Sequence, residues 1–275
     1  MICFPNAKIN LGLNIVSKRP DGYHNLETVF YPIGLKDALE IVPSGSSEPY
    51  RFFQTGIEIQ GNAEDNLVIK ALKLISEEKQ IPPIDIHLLK KIPFGAGLGG
   101  GSSDAAFMLK LLNETFSLGY SDTELEEKAA RIGADCAFFI KNKPAFATGI
   151  GDELAEIELD LSNYLFVLVK PNVFVPTKDA YAMVAPQQPE TSLKEIVKKP
   201  VSEWKGLMKN DFEPSVFKKY PEICNIKKQL YDSGAVYASM SGSGSSVFGL
   251  FEKEVELKEG FPDCFVWMNP VTRTS

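Results

Sequence analysis

Residues 93–106 read PFGAGLGGGSSDAA, and five of these fourteen are glycine. The chemistry open to such a run is the binding of an anion by backbone N–H groups. Glycine has no Cβ to hold an anion at a distance, and the first turn of a helix leaves N–H groups unpaired at the positive end of its dipole. Ala105, Ala106, Met108, Leu109 and Leu112 follow at helical spacing, which predicts a helix capped by Ser102 or Ser103 with Asp104 in its first turn. Upstream, Ile84, Ile86 and Leu88 alternate with Asp85, His87 and Leu89, the period of a half-buried strand. Strand, glycine loop and helix start together make phosphate the natural ligand.

The familiar phosphate loops do not match. Gly95, Gly97 and Gly100 satisfy the dinucleotide spacing G-x-G-x-x-G, but that fold needs a strand with an acidic residue after the helix. Residues 121–132 read instead as a second helix, with Ser121 and Glu124 spaced as a capping box. No Lys directly precedes Ser102 or Ser103, as a Walker loop requires. The H-R-D and D-F-G marks of protein kinases are also absent.

Three other places carry reactive or recognising side chains. Lys8 and Asn10 lie two residues apart on the polar face of an alternating strand over residues 2–16, roughly 6.6 Å apart at about 3.3 Å per residue, so one small polar group can touch both. A solvated strand face explains the same pattern equally well. Asp135 stands among Ala134, Cys136, Ala137, Phe138 and Phe139, where an unpaired carboxylate is costly, so a cationic or hydrogen-bonding partner is expected; helix capping is the other reading. Pro20, Asp21 and Gly22 mark a turn that sets the ring of Tyr23 beside the imidazole of His24.

The elements that must position these groups follow from periodicity and punctuation. Strands are expected over residues 26–33, 38–42 and 50–54, then a helix over 66–78 capped by Asn66. Gly133 is placed to end the helix at 121–132, and strands over 144–150 and 154–158 close the first half. A fresh start appears near Tyr164 with the buried-strand run Leu165, Phe166, Val167, Leu168 and Val169, which sets domains at 1–160 and 161–275. Beyond it come helices over 177–184 and 215–233, strands over 235–240 and 246–251 around Ser241-Gly242-Ser243-Gly244-Ser245, a helix over 252–259 and a strand over 264–268. That order suggests a split βαβ sheet.

At 275 residues with 44% apolar content the chain can bury a sizeable core. A net charge of −7 argues against a nucleic-acid backbone or an anionic membrane as partner. Cys3, Cys136, Cys224 and Cys264 contain no C-x-x-C pair, and His24 and His87 complete no zinc pattern. With no signal peptide and no membrane-length apolar run, a reducing cytoplasm is the expected location.

Taken together, Ala7-Lys8-Ile9-Asn10-Leu11 with Asp21-Gly22-Tyr23-His24, the PFGAGLGGGSSDAA loop, Gly133-Ala134-Asp135 and Ser241 to Ser245 resemble the GHMP small-molecule kinase superfamily over nearly the whole chain. The resemblance implies an α+β fold of two domains, an N-terminal mixed-sheet nucleotide domain and a C-terminal ferredoxin-like one. It implies that Pro93, Phe94, Gly95, Ala96, Gly97, Leu98, Gly99, Gly100, Gly101, Ser102 and Ser103 wrap the phosphates of ATP, with Asn66 and Leu67 at adenine. Asp135 is then the catalytic base and Lys8 its cationic partner, Mg2+ accompanies ATP, and Ser103 is the side chain placed nearest that metal. Within the superfamily the triple-glycine loop and the DGYH turn resemble the branch whose acceptor is a cytidine diphosphate ester. That likeness puts a cytosine between aromatic rings, with Tyr23, His24 and Tyr181 at its subsite and Asn10 on the acceptor hydroxyls. Ala137 stands where proline is common, and Ile150 where a basic residue is expected. The expected protein is a monomer or weak homodimer acting on a small molecule. Its rivals are a kinase for another alcohol, which would not need the aromatic set, and a nucleotide-binding module without catalysis, which could dispense with Lys8 and Asp135.

Overall fold

In the computed structural model, residues 1–58, 62–255, 257 and 260–269 are described. In chain order the elements are β1 (Ile2–Cys3), β2 (Asn6–Lys18), β3 (His24–Lys36), β4 (Ala38–Pro43), β5 (Tyr50–Gly56), α1 (Leu67–Ser76), β6 (Ile84–Lys90), α2 (Gly100–Thr115), α3 (Asp122–Ile132), α4 (Phe138–Lys141), β7 (Ala145–Thr148) and β8 (Glu153–Glu156). They continue as β9 (Leu165–Lys170), α5 (Thr177–Tyr181), α6 (Leu193–Ile196), α7 (Glu213–Lys219), α8 (Pro221–Asp232), β10 (Tyr237–Met240), β11 (Val247–Phe251) and β12 (Phe265–Asn269). Packing groups them into two compact units, one of residues 1–8, 32–94 and 99–143, the other of residues 9–31, 95–98 and 144–275. Each unit is assembled from separate stretches, whereas a division at 160/161 follows chain order.

The first unit holds a mixed sheet in the order β1-β4-β6-β5, antiparallel except where β5 runs parallel to β6. The strand expected over residues 2–16 is two elements, because Pro5 has no N–H to give to a ladder. α1 begins where its cap was read: Asn66 Oδ1 accepts from the Val68 N–H at 2.9 Å. Its buried residues Val68, Ile69, Leu72 and Ile75 lie at helical spacing, and α2 packs on α1. α3 opens with the expected capping box, Ser121 Oγ accepting from the Glu124 N–H at 3.3 Å and Glu124 Oε2 accepting from the Ser121 N–H at 2.8 Å.

The second unit holds a sheet in the order β10-β11-β9-β12, every neighbour antiparallel. Numbered along this part of the chain the order is second, third, first, fourth, the ferredoxin-like arrangement expected of a split βαβ sheet. Val167, Val169, Ile223, Ile226, Leu230 and Val247 share its core, each buried side chain contributing about 1.5–3 kcal/mol. Another sheet runs β2-β3-β7-β8.

Some expected elements differ. The single helix read over 215–233 is α7 and α8, broken at Tyr220 (φ −128°, ψ 72°) because the following Pro221 disfavours helical backbone before it. α5 stops at Tyr181, short of Pro186, rather than running to 184. The helix expected over 252–259 includes residues 256, 258 and 259, which lie outside the described residues.

Candidate active site

The glycine loop joins β6 to α2, as its sequence suggests, but the helix starts earlier than expected. Gly99, at φ +68°, is the cap, and Ser102 and Ser103 lie within the first turn, so neither caps it by a side chain. The cap is left-handed backbone that glycine adopts without strain, and it exposes the first N–H groups of α2 instead of covering them with a hydroxyl. Gly95 and Gly97 are left-handed too, at φ +60° and +74°. Ala96 and Leu98 between them are buried. Alternation of buried anchors with left-handed glycines is how this stretch keeps its backbone accessible.

A Cβ on Gly97 would stand 2.0 Å from the carbonyl oxygen of Ser241. Ser241 Oγ donates to the Gly97 carbonyl at 2.7 Å and accepts from the Asn10 N–H at 3.1 Å. The serine-glycine turn between β10 and β11 therefore holds the middle of the loop, a role the sequence reading did not give to Ser241. Asn10 itself is buried, its Nδ2 donating to Thr28 Oγ1 at 3.0 Å, and Thr28 Oγ1 donates to the Gly12 carbonyl at 2.6 Å.

Lys8 and Asp135 meet. Lys8 Nζ lies 3.2 Å from Asp135 Oδ2, with side chains 5% and 36% exposed respectively. The ammonium is inside and the carboxylate stands at the surface of the unit, where a substrate hydroxyl can reach it. A solvated strand face is excluded, since Lys8 and Asn10 are both buried. Asp135 follows Gly133, which ends α3 in extended backbone, and the Cys136 N–H bonds back to the Gly133 carbonyl at 3.0 Å. The helix end thus aims the carboxylate. A Cβ on Gly99 would be 3.2 Å from Lys8 Cε, so the loop's cap and the Lys8 stem are neighbours. Burial, against a hydrogen bond from Ser102, pushes the Cys136 thiol up to about 11, which leaves it protonated and unreactive near neutral pH.

Asn66, Leu67, Phe94 and Gly101 line one cavity of about 420 Å³ with Phe52, Gln54, Asn62, Ala63, Asp65 and Asp104. Pro93, Gly95, Ala96, Gly97, Leu98, Gly99, Gly100, Ser102 and Ser103 are not part of that lining. Its lining combines the amides of Gln54, Asn62 and Asn66 with the apolar side chains of Phe52, Ala63, Leu67 and Phe94, a setting for a planar heterocycle. Phe52 and Gln54 were missed because strand alternation alone does not say what a strand end faces.

In the second unit His24 stacks on Tyr181, ring centroids 4.8 Å apart and planes 25° from parallel, and Tyr181 meets Phe212 edge to face at 4.7 Å. The first two rings are already at stacking distance, so they leave no slot between them for a base. Tyr23 points outward and is 63% exposed. Its backbone N–H donates to Asp21 Oδ1 at 3.0 Å, which is how the DGYH turn closes.

Known proteins resemble this chain over most of its length. The family model for the GHMP kinases N terminal domain matches residues 66–143, and that for the GHMP kinases C terminal matches residues 192–261. The chain is 63% identical over 258 residues to a 4-diphosphocytidyl-2-C-methyl-D-erythritol kinase of Bacteroides fragilis, 94% of each chain being covered. It is 62% identical over 269 residues to the protein of the same name from Parabacteroides distasonis, covering 97% of this chain and 98% of that one. A crystal structure of 4-(cytidine 5'-diphospho)-2C-methyl-D-erythritol kinase superposes with a TM-score of 0.77 at 33% identity, covering 91% of this chain and 90% of the other.

Proposed function

The chain belongs to the GHMP kinases, and from that premise we propose that Lys8 and Asp135 carry the chemistry of a phosphoryl transfer from ATP to 4-diphosphocytidyl-2-C-methyl-D-erythritol. The enzyme phosphorylates the 2-hydroxyl of that acceptor in isoprenoid precursor synthesis, giving the 2-phosphate and ADP. The Lys8–Asp135 pair at 3.2 Å is the observation that carries the assignment. The acceptor oxygen attacks the γ-phosphorus, its proton passes to an Asp135 carboxylate oxygen, and the bond from the γ-phosphorus to the leaving ADP oxygen breaks. The Lys8 ammonium orients the carboxylate and offsets negative charge developing on the acceptor oxygen. Phosphoryl transfer asks mainly for positioning and charge neutralisation, so a modest base suffices.

In this reading the unpaired N–H groups at the start of α2 and those of the left-handed glycines hold the ATP phosphates, and the cavity at Asn66 and Leu67 takes adenine. Magnesium fits the same place in one respect. The Ser103 hydroxyl is fully buried and has no hydrogen-bond partner among the described residues. Among those residues no cluster of three or more His, Cys, Asp or Glu side chains is arranged for a metal, so the nucleotide phosphates would supply most of the oxygens a hard cation needs. When bound, the ion would neutralise phosphate charge.

His24 and Tyr181 offer the cytosine an outer ring face, Tyr23 is free to cover it, and Asn10 lies on the Lys8 face of β2 for the acceptor hydroxyls. No helix among the described residues is long and apolar enough to cross a membrane. The four cysteines are free, in keeping with the cytoplasm, where we place the enzyme as a monomer or weak homodimer. ADP release with ATP, magnesium and the cytidylated acceptor, beside a control with methylerythritol phosphate, tests the acceptor assignment. Turnover with the cytidylated compound alone is the expected result, and equal turnover with both would remove the aromatic subsite from the reading.

A further inference from the structure

Asn210, 2% exposed, is a polar side chain buried in the second unit that no step of the transfer uses. It lies on the stretch leading into α7, and the backbone on either side of it is bonded to β2. The Leu13 N–H donates to the Lys209 carbonyl and the Asp211 N–H to the Leu13 carbonyl, both at 2.8 Å. Both N–H groups of the Asn210 amide are used: Nδ2 donates to the Met240 carbonyl at 2.9 Å and to the Gly242 carbonyl at 2.8 Å. Oδ1 accepts from the Phe212 N–H at 3.0 Å. The partners dictate that orientation, because a carbonyl only accepts and a peptide N–H only donates. The two carbonyls flank Ser241, so the amide grips the serine-glycine turn on both sides of one residue. Glu213, at the start of α7, accepts from the Met240 N–H at 3.0 Å and from the Ser239 hydroxyl at 3.2 Å, which holds the end of β10 as well.

The residue gripped is the one that holds the phosphate loop. Ser241 Oγ donates to the Gly97 carbonyl, and the Ser241 carbonyl oxygen lies 2.0 Å from where a Cβ on Gly97 would be. Across the turn, the Ser246 N–H donates to the Ala96 carbonyl at 3.3 Å. Ser241 Oγ also accepts from the Asn10 N–H, so β2, residues 209–211, the turn and Gly97 are joined in one continuous set of bonds. The turn has little of its own to fix it, since Gly242 and Gly244 are left-handed glycines at φ +55° and +89° with no side chains to pack. We infer that Asn210 is a positioning residue for nucleotide binding: through the Met240 and Gly242 carbonyls it sets Ser241, and through Ser241 it sets the backbone of the phosphate loop at Gly97. The inference rests on the reading that this loop holds the ATP phosphates. Apolar packing at position 210 would serve the fold alone. A buried amide with its donors and acceptor all satisfied selects a single arrangement of the turn.

The test is a double-mutant cycle on the Kd for ADP with excess magnesium, using Asn210→Ala, Ser241→Ala and the two together, each measured well below its unfolding midpoint. Each single change is expected to raise the Kd by about tenfold, the scale of one or two lost hydrogen bonds, and the pair by little more than either alone, because both break the same link. A Kd for Asn210→Ala within about twofold of the wild type overturns the inference, and so does a double variant weakened by the product of the singles, about a hundredfold. A side chain that only supports the fold would lower the unfolding midpoint and leave the Kd in place. Asn210→Ser, whose hydroxyl is too short to reach both carbonyls, serves in the same cycle should Asn210→Ala not fold. If neither folds, hydrogen exchange of the wild type decides. ADP is expected to protect peptides covering residues 209–213 more than those covering β12, because coupling between sites is reciprocal, and equal protection overturns the inference. Photolabelling of the wild type by 8-azido-ADP tests the premise separately. Label within residues 52–104 upholds the nucleotide site, and label elsewhere overturns that site and the inference with it. Label within those residues beside an unchanged Kd in the Asn210 variants overturns the inference alone.

Discussion

Asp135 and Lys8 are the residues on which the chemistry turns, and each was singled out for a different reason. Asp135 stood out as a carboxylate in an apolar run, Lys8 as a cation on a strand face, and the structure joins them at 3.2 Å. Replacing Asp135 by Asn keeps the shape and removes the proton acceptor, so kcat is expected to fall by on the order of 10²- to 10⁴-fold, the range for a positioned base. Steady-state rates with saturating ATP and acceptor check this, and near wild-type turnover would dismiss Asp135 as the base. Lys8→Met should lower kcat as well while leaving the fold intact, because Asp135 is partly exposed and can be solvated without its partner. Circular dichroism beside the rate measurement separates those two effects. Asp104, by contrast, is placed by the sequence only in the first turn of a helix. It is a core residue held by Lys90, because α2 begins before the serines and places position 104 on the inward face.

At the scale of elements, the loop between β6 and α2 depends on glycines for geometry as much as for access. Gly97→Ala would force a Cβ to within 2.0 Å of the Ser241 carbonyl in left-handed backbone at φ +74°. The substitution is expected to cost about 1–3 kcal/mol, the usual strain of a non-glycine residue held there. Thermal unfolding should show a midpoint several degrees lower, and an unchanged midpoint would mean that Ser241 does not hold the loop. The break between α7 and α8 shows the opposite case. Here a proline signal at position 221 was present in the sequence, but helical periodicity on both sides of it suggested one continuous helix. A proline at the first position of a helix is favourable, so two helices satisfy the same apolar pattern without strain.

For the whole molecule the buried Asp104 sets a pH dependence with an unusual sign. Most acidic groups are pulled down on folding and add stability as pH rises. Asp104 is pushed up to about 8 from an ordinary value near 3.8, so between those values the folded chain holds a proton that the unfolded chain releases. Its contribution to stability therefore declines as pH rises through that window. Asp104→Asn should flatten this part of the curve of unfolding midpoint against pH, and a variant curve parallel to the wild type would show that Asp104 does not titrate there. Local terms were legible from the chain alone. The strand at Ile84, the Asn66 cap, the Ser121–Glu124 box and the glycine loop all depend on neighbours within a few residues. The resemblance of four short motifs, together with those elements, was enough to indicate the fold and the reaction. Tertiary packing alone decided that Lys8 meets Asp135, that His24 stacks directly on Tyr181, that Ser241 grips Gly97, and that Asp37, Lys90 and Asp104 share one buried site. These contacts join residues distant in the chain, and no periodicity or capping rule links such positions. Their side chains are brought together only when apolar faces are buried, and the pairing then offsets the cost of taking their charges out of water.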